Sequence, residues 1–585
     1  MQLDLKKGSR PRLLAIATLV IMAIFVGRLF YLQVIRHDYY VAKANEEQLK
    51  QLVIPAKRGE VYAMDGSTPT PLVLNETVYT VFADPKIVDD PDAITDTIRQ
   101  VAGGNAQSNI EELLEKKESR YQVIAKQVTR KQAEMIKEKN LKGIGFQEES
   151  RRVYPEGQLA AQTLGFVNAE GEGQYGIESA LNERLTGVDG LLQSVTDISN
   201  VPLTIGDKNI NQPAKNGDNI ALTIDRNVQA YTEQALKRGL EKAGADQGSV
   251  MVMDPQTGEV LAMANYPTYS PAEYYKVTDA KAFNNATISA PYEPGSDVKV
   301  LTMATGIDVG AVTPQSTYYN TDSITVHDRT ITNASKGQTG EITFQHALNW
   351  SLNTGLVTVA KRLGSDGDSI DLQARSTMYK YFHDKWGLGE LTGIELAGEA
   401  AGTVLEPDHP GAAVQYSNMS FGQGLDVTMV QVCAAFSTII NGGTYYQPTV
   451  IAGTVDESGR LSPADNKAAK PGQVSEQTSA TMRQMVHEAR NTFGQNRQSD
   501  KAGYFIGGKT GTSQVIRDGK YVSDETIATY LGFGGDSNSA DGPKYVIMVQ
   551  VSGEHKAFSG SDHAMPVFTD ISNWMIDYLK LQPKG

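Results

Sequence analysis

Ser296 stands in the stretch "YEPGSDVKVLT" and is the only serine in the chain with a lysine, Lys299, three positions on. On a helix, positions i and i+3 lie on one face a turn apart, so hydroxyl and amine come within hydrogen-bond reach. Pro294 and Gly295 break regular structure just before, so the spacing predicts a helix beginning at Ser296. The free N–H groups of its first turn would stabilise an oxyanion, and the positive helix end disfavours a protonated Lys299. A lysine pushed toward its neutral form is a competent base for a serine hydroxyl. Ser-x-x-Lys alone is weak, because chance supplies it about once or twice in a chain this long.

Two further stretches supply company. "WSLNTG" holds Ser351-Leu352-Asn353, the only Ser-x-Asn, and "GGKTGTSQ" holds Lys509-Thr510-Gly511, the only Lys-[Ser/Thr]-Gly, followed by Thr512. One residue beside the candidate nucleophile is unexpected. Asp297 is an acid in the first turn of a helix, where the dipole favours it, and adjacent helix positions do not share a face. The expectation is that Asp297 points away from the catalytic face. Turned inward, its charge would favour protonated Lys299 and weaken the base.

The elements that must position these residues follow from the rest of the chain. Its 585 residues, 40% hydrophobic, exceed what one core holds, and 21% charged residues with 55 glycines are ordinary globular usage. A net charge of -14 argues against nucleic acid as a partner. Cys433 is the single cysteine and lies in the apolar run "VQVCAAFSTII", so a buried thiol is expected and no internal disulfide is possible. From Leu13 to Ile35 a mostly apolar run is long enough to cross a bilayer, and Lys6, Lys7, Arg10 and Arg12 before it predict a cytoplasmic N-terminus. The bulky, charged "RLFYLQVIRHDYY" offers no small-x-small cleavage site, so an uncleaved signal-anchor is expected rather than a signal peptide. Arg28 inside the span would snorkel to headgroups or face a membrane partner.

Helical stretches are expected at "YYVAKANEEQLKQL", "NIEELLEKK", "KQAEMIKEKN", "RRVYPEGQLAAQTLGF" and "YGIESALNERLTG", with strands at "GEVYAM" and "TVYTVFADP". A boundary falls in the polar "NINQPAKNGDN". Beyond it come a strand and long helix in "NIALTIDRNVQAYTEQALKRGLEKA", a hairpin around "PQTG", strands at "IATYLGFGG" and "KYVIMVQVSG", and a closing helix. Strands at both ends with helices between predict one antiparallel sheet built from distant segments.

Three motif matches are set aside. "GEGQYG" fits G-x-G-x-x-G, but no apolar strand enters it. "GYFIGGKT" fits the phosphate-loop pattern, yet its surroundings read as strand with an Asp-Gly turn, and the topology puts it where ATP is scarce. "HEARN" begins a zinc-peptidase helix but has Asn491 where the second His is required. No metal and no cofactor are expected.

The three catalytic stretches, in this order and at this wide spacing, resemble the transpeptidase domain of penicillin-binding proteins from about Asn219 onward. "GIELAGEAAG" and "SFGQGLDVTMVQ" fit that domain, while "KRGEVYAMDG" and "YPEGQLAAQTLGFV…GQYGIESALNERLTG" resemble the pedestal of the class B, monofunctional group. The resemblance implies an α+β multidomain protein: a cytoplasmic tail at 1–12, a transmembrane signal-anchor at 13–35, a mixed α/β pedestal for dimerisation or partners at 36–218, and a β-lactamase-like transpeptidase domain at 219–585, its antiparallel sheet packed with helices. Neither a class A glycosyltransferase domain nor extra C-terminal ligand-binding modules are expected.

The resemblance also implies roles. Ser296 would attack the D-Ala-D-Ala amide of a peptidoglycan stem peptide, with Lys299 taking its proton and the backbone N–H groups of Ser296 and Thr512 forming the oxyanion hole. Ser351 would relay a proton to the leaving D-Ala, Asn353 would hold Lys299 and the substrate amide, and Lys509 would keep the potential positive. Thr510, Gly511 and Thr512 would bind substrate, the two threonines through its terminal carboxylate. β-Lactams would leave a slow acyl-enzyme. "KTGTSQ" resembles the division type more than the elongation type, and either type works beside a SEDS-family glycan polymerase and other divisome or elongasome membrane proteins. A D,D-carboxypeptidase or β-lactam hydrolase, using water as acceptor, and a non-catalytic scaffold or β-lactam sensor are the alternatives.

Overall fold

A computed structural model describes residues 9–40, 49–195, 210–465, 469–492, 499–517, 520–536 and 542–583. The chain divides into two compact units, Met1–Arg58 with Thr186–Gly217, and Gly59–Leu185 with Asp218–Gly585. In the first, helix α1 (Ser9–Phe30) runs on through a wider turn at Tyr31–Ile35, and Pro11–Ile35 is long and apolar enough to cross a membrane. The Arg28 guanidinium lies 5.4 Å from the Tyr31 ring centroid. Strands Leu49–Ile54, Gly190–Val195 and Ile210–Gln212 form a three-stranded sheet in that unit. The helix expected from Tyr39 is corrected in part: residues 41–48 lie outside the described residues, and Leu49–Leu52 pairs as strand with Leu192–Val195.

In the second unit, β1 (Val61–Asp65) turns into the long β2 (Thr68–Ala83), and β3 (Ile220–Asp225) joins β1 in parallel, Ile220 opposite Val61. That pairing sews residues on both sides of the polar boundary into one seven-stranded sheet. Strands Gln122–Thr129 and Ile144–Val153 extend it from β2. Helices Pro91–Ala102 and Arg130–Lys137 cover this end, the second opened by a capping box between Thr129 and Gln132. Ile94, Ile98, Ile124, Val128 and Ile136 form its core. The helix expected through "RRVYPEGQLAAQTLGF" is mostly not one: Arg151–Val153 ends a strand on β2, and only Ala161–Leu164 is helical.

The second sheet frames the site. The hairpin β4 (Gln247–Met253) and β5 (Val260–Tyr266) meets β6 (Phe505–Arg517), β7 (Lys520–Gly535) and β8 (Tyr545–Ser552) in the antiparallel order β5-β4-β8-β7-β6. Sheet residues alternate between two cores, as a period of two requires. After β3 runs α2 (Arg226–Ala243), capped by Asp225, whose Oδ1 accepts from Asn227 N at 2.9 Å and Val228 N at 3.0 Å. The helices α3 (Val298–Asp308), α4 (Phe344–Asn349), α5 (Asn353–Arg362), α6 (Met429–Ile440) and α7 (Glu476–Thr492) pack on the face bearing Met251, Met253, Leu531, Phe533 and Met548. Against the face bearing Val250, Val252, Tyr530, Ile547 and Val549 pack α2 and α8 (Met565–Tyr578). Each fully buried Val, Leu, Ile, Phe or Met contributes about 1.5–3 kcal/mol, so β4, β7 and β8, clad on both faces, are a rigid backing for the edge strand β6.

Candidate active site

Ser296 lies in a single 3-10 turn, Gly295–Asp297, that leads directly into α3. The helix is buried from Val298 to Gly306, so Lys299 enters the interior rather than solvent. Two close approaches fix the turn. Gly295 has φ +63, and a Cβ there would lie 2.8 Å from Thr512 O, so the serine turn rests against the strand backbone assigned to the oxyanion hole. Gly295 N donates to Gly422 O at 2.9 Å, and a Cβ on Gly422 would overlap Gly295 O. Glu293 ties the same segment down, its Oε1 accepting from Gly424 N at 2.6 Å and from the Tyr521 hydroxyl at 3.1 Å.

The second motif bridges α4 and α5. Ser351 holds φ +55, a left-handed conformation that a residue with a side chain rarely adopts and that marks stored strain. This turns both its oxygens toward the lysines. Lys299 Nζ donates to Ser351 O at 2.6 Å and Ser351 Oγ at 3.1 Å, while Lys509 Nζ donates to Ser351 Oγ at 2.8 Å. With both lone pairs of Oγ accepting, the Ser351 O–H remains as a donor. Asn353 Nδ2 donates to Thr332 O at 2.9 Å, so Ser351 rather than Asn353 holds Lys299. Thr354 anchors this corner through the Asn333 side chain, whose Oδ1 accepts from Thr354 N at 3.0 Å.

On β6, Lys509, Gly511 and Ser513 face the interior, whereas Thr510 and Thr512 take the opposite side and line the cleft. Lys509 Nζ also donates to Thr510 O at 2.8 Å. Burial, and then the nearby Lys509 charge, push Lys299 well below the usual lysine range. Burial also lowers Lys509, to about 8, but Asp297 pulls it back upward. The expected neutral base is therefore produced by desolvation and a neighbouring cation.

The placement of Asp297 corrects the expectation. It is fully buried beneath β6, with Oδ2 2.8 Å from where a Gly511 Cβ would stand. The dipole argument presumed that the side of the turn away from the cleft is wet, and here that side is covered by the strand and by buried helix. Among the described residues neither carboxylate oxygen has a hydrogen-bond partner. The Thr529 hydroxyl is near enough to favour the charged form but misses hydrogen-bond geometry.

A cleft of about 730 Å³ unites Ser296, Lys299, Ser351, Asn353, Thr510 and Thr512. Lys509 reaches it through Ser351 Oγ and Gly511 backs it, so the structure brings together every residue singled out by the motifs. Trp350, Phe421, Gln423 and Asp562 also line the cleft. Gln423 sits in "SFGQGLD", which the family likeness already flagged, but Asp562 belongs to no motif and only the fold delivers it.

Residues 248–573 match the family described as Penicillin binding protein transpeptidase domain, and residues 53–222 match Penicillin-binding Protein dimerisation domain. The chain belongs to the penicillin-binding proteins, in the class B arrangement that joins these two domains. It is 28% identical to Stage V sporulation protein D of Bacillus subtilis over 98% of this chain and 87% of the relative. It is also 28% identical to Peptidoglycan D,D-transpeptidase FtsI of Escherichia coli K12 over 98% of this chain and 92% of that one. Among solved structures, penicillin binding protein 3 of Mycobacterium tuberculosis, complexed with aztreonam, superposes with a TM-score of 0.67 at 25% identity, covering 91% of this chain and 98% of that one.

Proposed function

We propose that this protein is a serine-type peptidoglycan D,D-transpeptidase, cross-linking stem peptides during wall synthesis, with a septal role favoured. The observation that carries the reading is that Lys299 and Lys509 both donate to the Ser351 hydroxyl, in a cleft that Ser296, Lys299 and Ser351 line together. Neutral Lys299 removes the Ser296 proton, and Ser296 Oγ bonds to the carbonyl carbon of the penultimate D-Ala. The N–H groups of Ser296 and Thr512 hold the oxyanion. Ser351 O–H passes a proton to the departing amine as the C–N bond breaks, and receives in its place the proton that Lys299 took from Ser296. Cationic Lys509, with Thr510 and Thr512, receives the terminal carboxylate. The amine of a second strand then takes the acyl group and releases Ser296.

We place residues 1–12 in the cytoplasm, 13–35 in the plasma membrane, and both the pedestal at 36–218 and the catalytic domain at 219–585 outside it, the topology favoured by the basic N-terminal flank. A SEDS-family polymerase and other divisome or elongasome membrane proteins are the partners this topology suits. The test is labelling of the purified chain with a fluorescent penicillin, followed by mapping of the adduct. A lasting adduct on Ser296 is expected, and attachment elsewhere sinks the assignment. Rapid turnover of penicillin would indicate a hydrolase, and normal cross-linking by Ser296→Ala in cells would indicate a scaffold.

A further inference from the structure

The buried acid beside the nucleophile is a charged group that the mechanism above leaves unused. We propose that Asp297 is a positioning residue: seated under Gly511, its carboxylate holds Lys509 as the cation of the site, which leaves Lys299 as the neutral base. This rests on the proposed roles of Ser296, Lys299 and Lys509.

The seat exists because residue 511 is glycine. A Cβ there would overlap the Thr529 hydroxyl and lie 2.8 Å from Asp297 Oδ2. Lys509 and Gly511 share one face of β6, so the carboxylate beneath Gly511 and the buried Lys509 side chain lie on the same side of the strand, two residues apart along it. The groups that Asp297 faces come from four elements. They are Lys509 on β6, Thr529 on β7, Cys433 on α6, and Tyr292 in the segment before the serine turn. Burial first, and then the Asp297 charge, push the Cys433 thiol and the Tyr292 hydroxyl upward, so neither gives up a proton to balance it. Lys509 is the one cation of this set.

A buried carboxylate without hydrogen bonds persists in charged form only beside a compensating charge. Burial pushes Asp297 up to about 7, with Thr529 and Lys509 pulling the other way. The proton of Lys509 is held in turn by Asp297 against the desolvation that brings it down to about 8. Lys299 is governed by burial and by the charge on Lys509. The inward turn of Asp297 therefore spends its field on the second lysine and spares the base.

The experiment is the pH dependence of penicillin acylation for the full-length protein in detergent, comparing wild type with Asp297→Asn and Asp297→Thr. Without the anion, Lys509 loses its proton at lower pH. The alkaline limb is expected to move down by about one pH unit, the low end of the roughly 1–3 by which a nearby opposite charge shifts a pKa. An unmoved limb overturns the proposal, and so does a rate that falls equally at every pH, which marks a merely structural role. Should neither variant fold, the wild-type profile decides: an alkaline limb well below the value of about 8, which leaves Lys509 uncharged near neutral pH despite Asp297, overturns it. Mapping the adduct on the same samples separates two failures. Label away from Ser296 overturns the site assignment, whereas label on Ser296 with an unmoved limb overturns only the role of Asp297.

Discussion

Two buried charges sit against the same pair of strands and are treated in opposite ways. Arg490 on α7 is 2% exposed, and its donors are matched. Nε and Nη2 donate to Asp500 at 2.7 and 2.6 Å, Nη2 also donates to Thr569 Oγ1 at 2.9 Å, and Nη1 donates to the Tyr530 hydroxyl. Asp297, under β6, has no hydrogen bond on either oxygen among the described residues. A saturated buried ion is inert because its neighbours hold it in one protonation state. A buried ion left short of partners stays sensitive to the next charge, and that sensitivity is what a site needs to set the state of a lysine. The difference teaches where the fold spends order and where it withholds it.

The comparison is broken most strongly at the nucleophile. Ser296→Ala is expected to lower penicillin acylation by about a thousandfold or more while leaving the unfolding midpoint unchanged, because this half-buried hydroxyl makes no hydrogen bond among the described residues. Next comes Arg490→Met, which takes the guanidinium away from the Asp500 carboxylate and should cost about 3–5 kcal/mol in urea unfolding. Its acylation pH profile should keep its shape, since the charge it removes is already neutralised. Both results together would separate the structural ion from the functional one.

Asp308, at the end of α3, tests the partnered extreme for a carboxylate. Burial alone raises its pKa, but bonds from Ser475 N at 2.8 Å, the Tyr381 hydroxyl at 2.6 Å and Thr478 Oγ1 at 2.9 Å more than offset this, and the net shift is downward. A carboxylate lowered in the folded state stabilises above its unfolded value near about 3.9, and that stabilisation is lost as pH falls through the lower folded value. Asp308→Asn should therefore destabilise by about 1.5–3 kcal/mol at pH 7, with the gap closing in acid. The smallest effect belongs to the exposed pair Arg130–Glu134, where Arg130→Ala should change unfolding free energy by less than about 0.5 kcal/mol.

Much of this was legible in residue order. The strand-then-helix at Ile220–Ala243, the hairpin of β4 and β5, and the closing helix α8 follow from local periodicity and turn chemistry, and all three stand where that reading puts them. The stretch expected as helix from Tyr39 ends as strand, because a short amphiphilic run such as Leu49–Leu52 takes whichever form its partners offer, and here Leu192–Val195 offered a strand. A polar boundary was expected near Asn219, and the parallel pairing of Ile220 with Val61 across it was not legible, since no local pattern encodes a partner about 160 residues away.

By itself, the sequence determined the chemistry available: one serine with a lysine at helical spacing, two further motifs, and an apolar N-terminal run, all of which are properties of composition and spacing. Tertiary structure alone decided the charge states. Lys299 is driven neutral by burial and by Lys509, which arrives from 210 positions away, and Asp297 faces inward because Gly511 leaves room for it. Desolvation and Coulomb terms depend on what surrounds a group in three dimensions, and a linear pattern names the group without naming its surroundings.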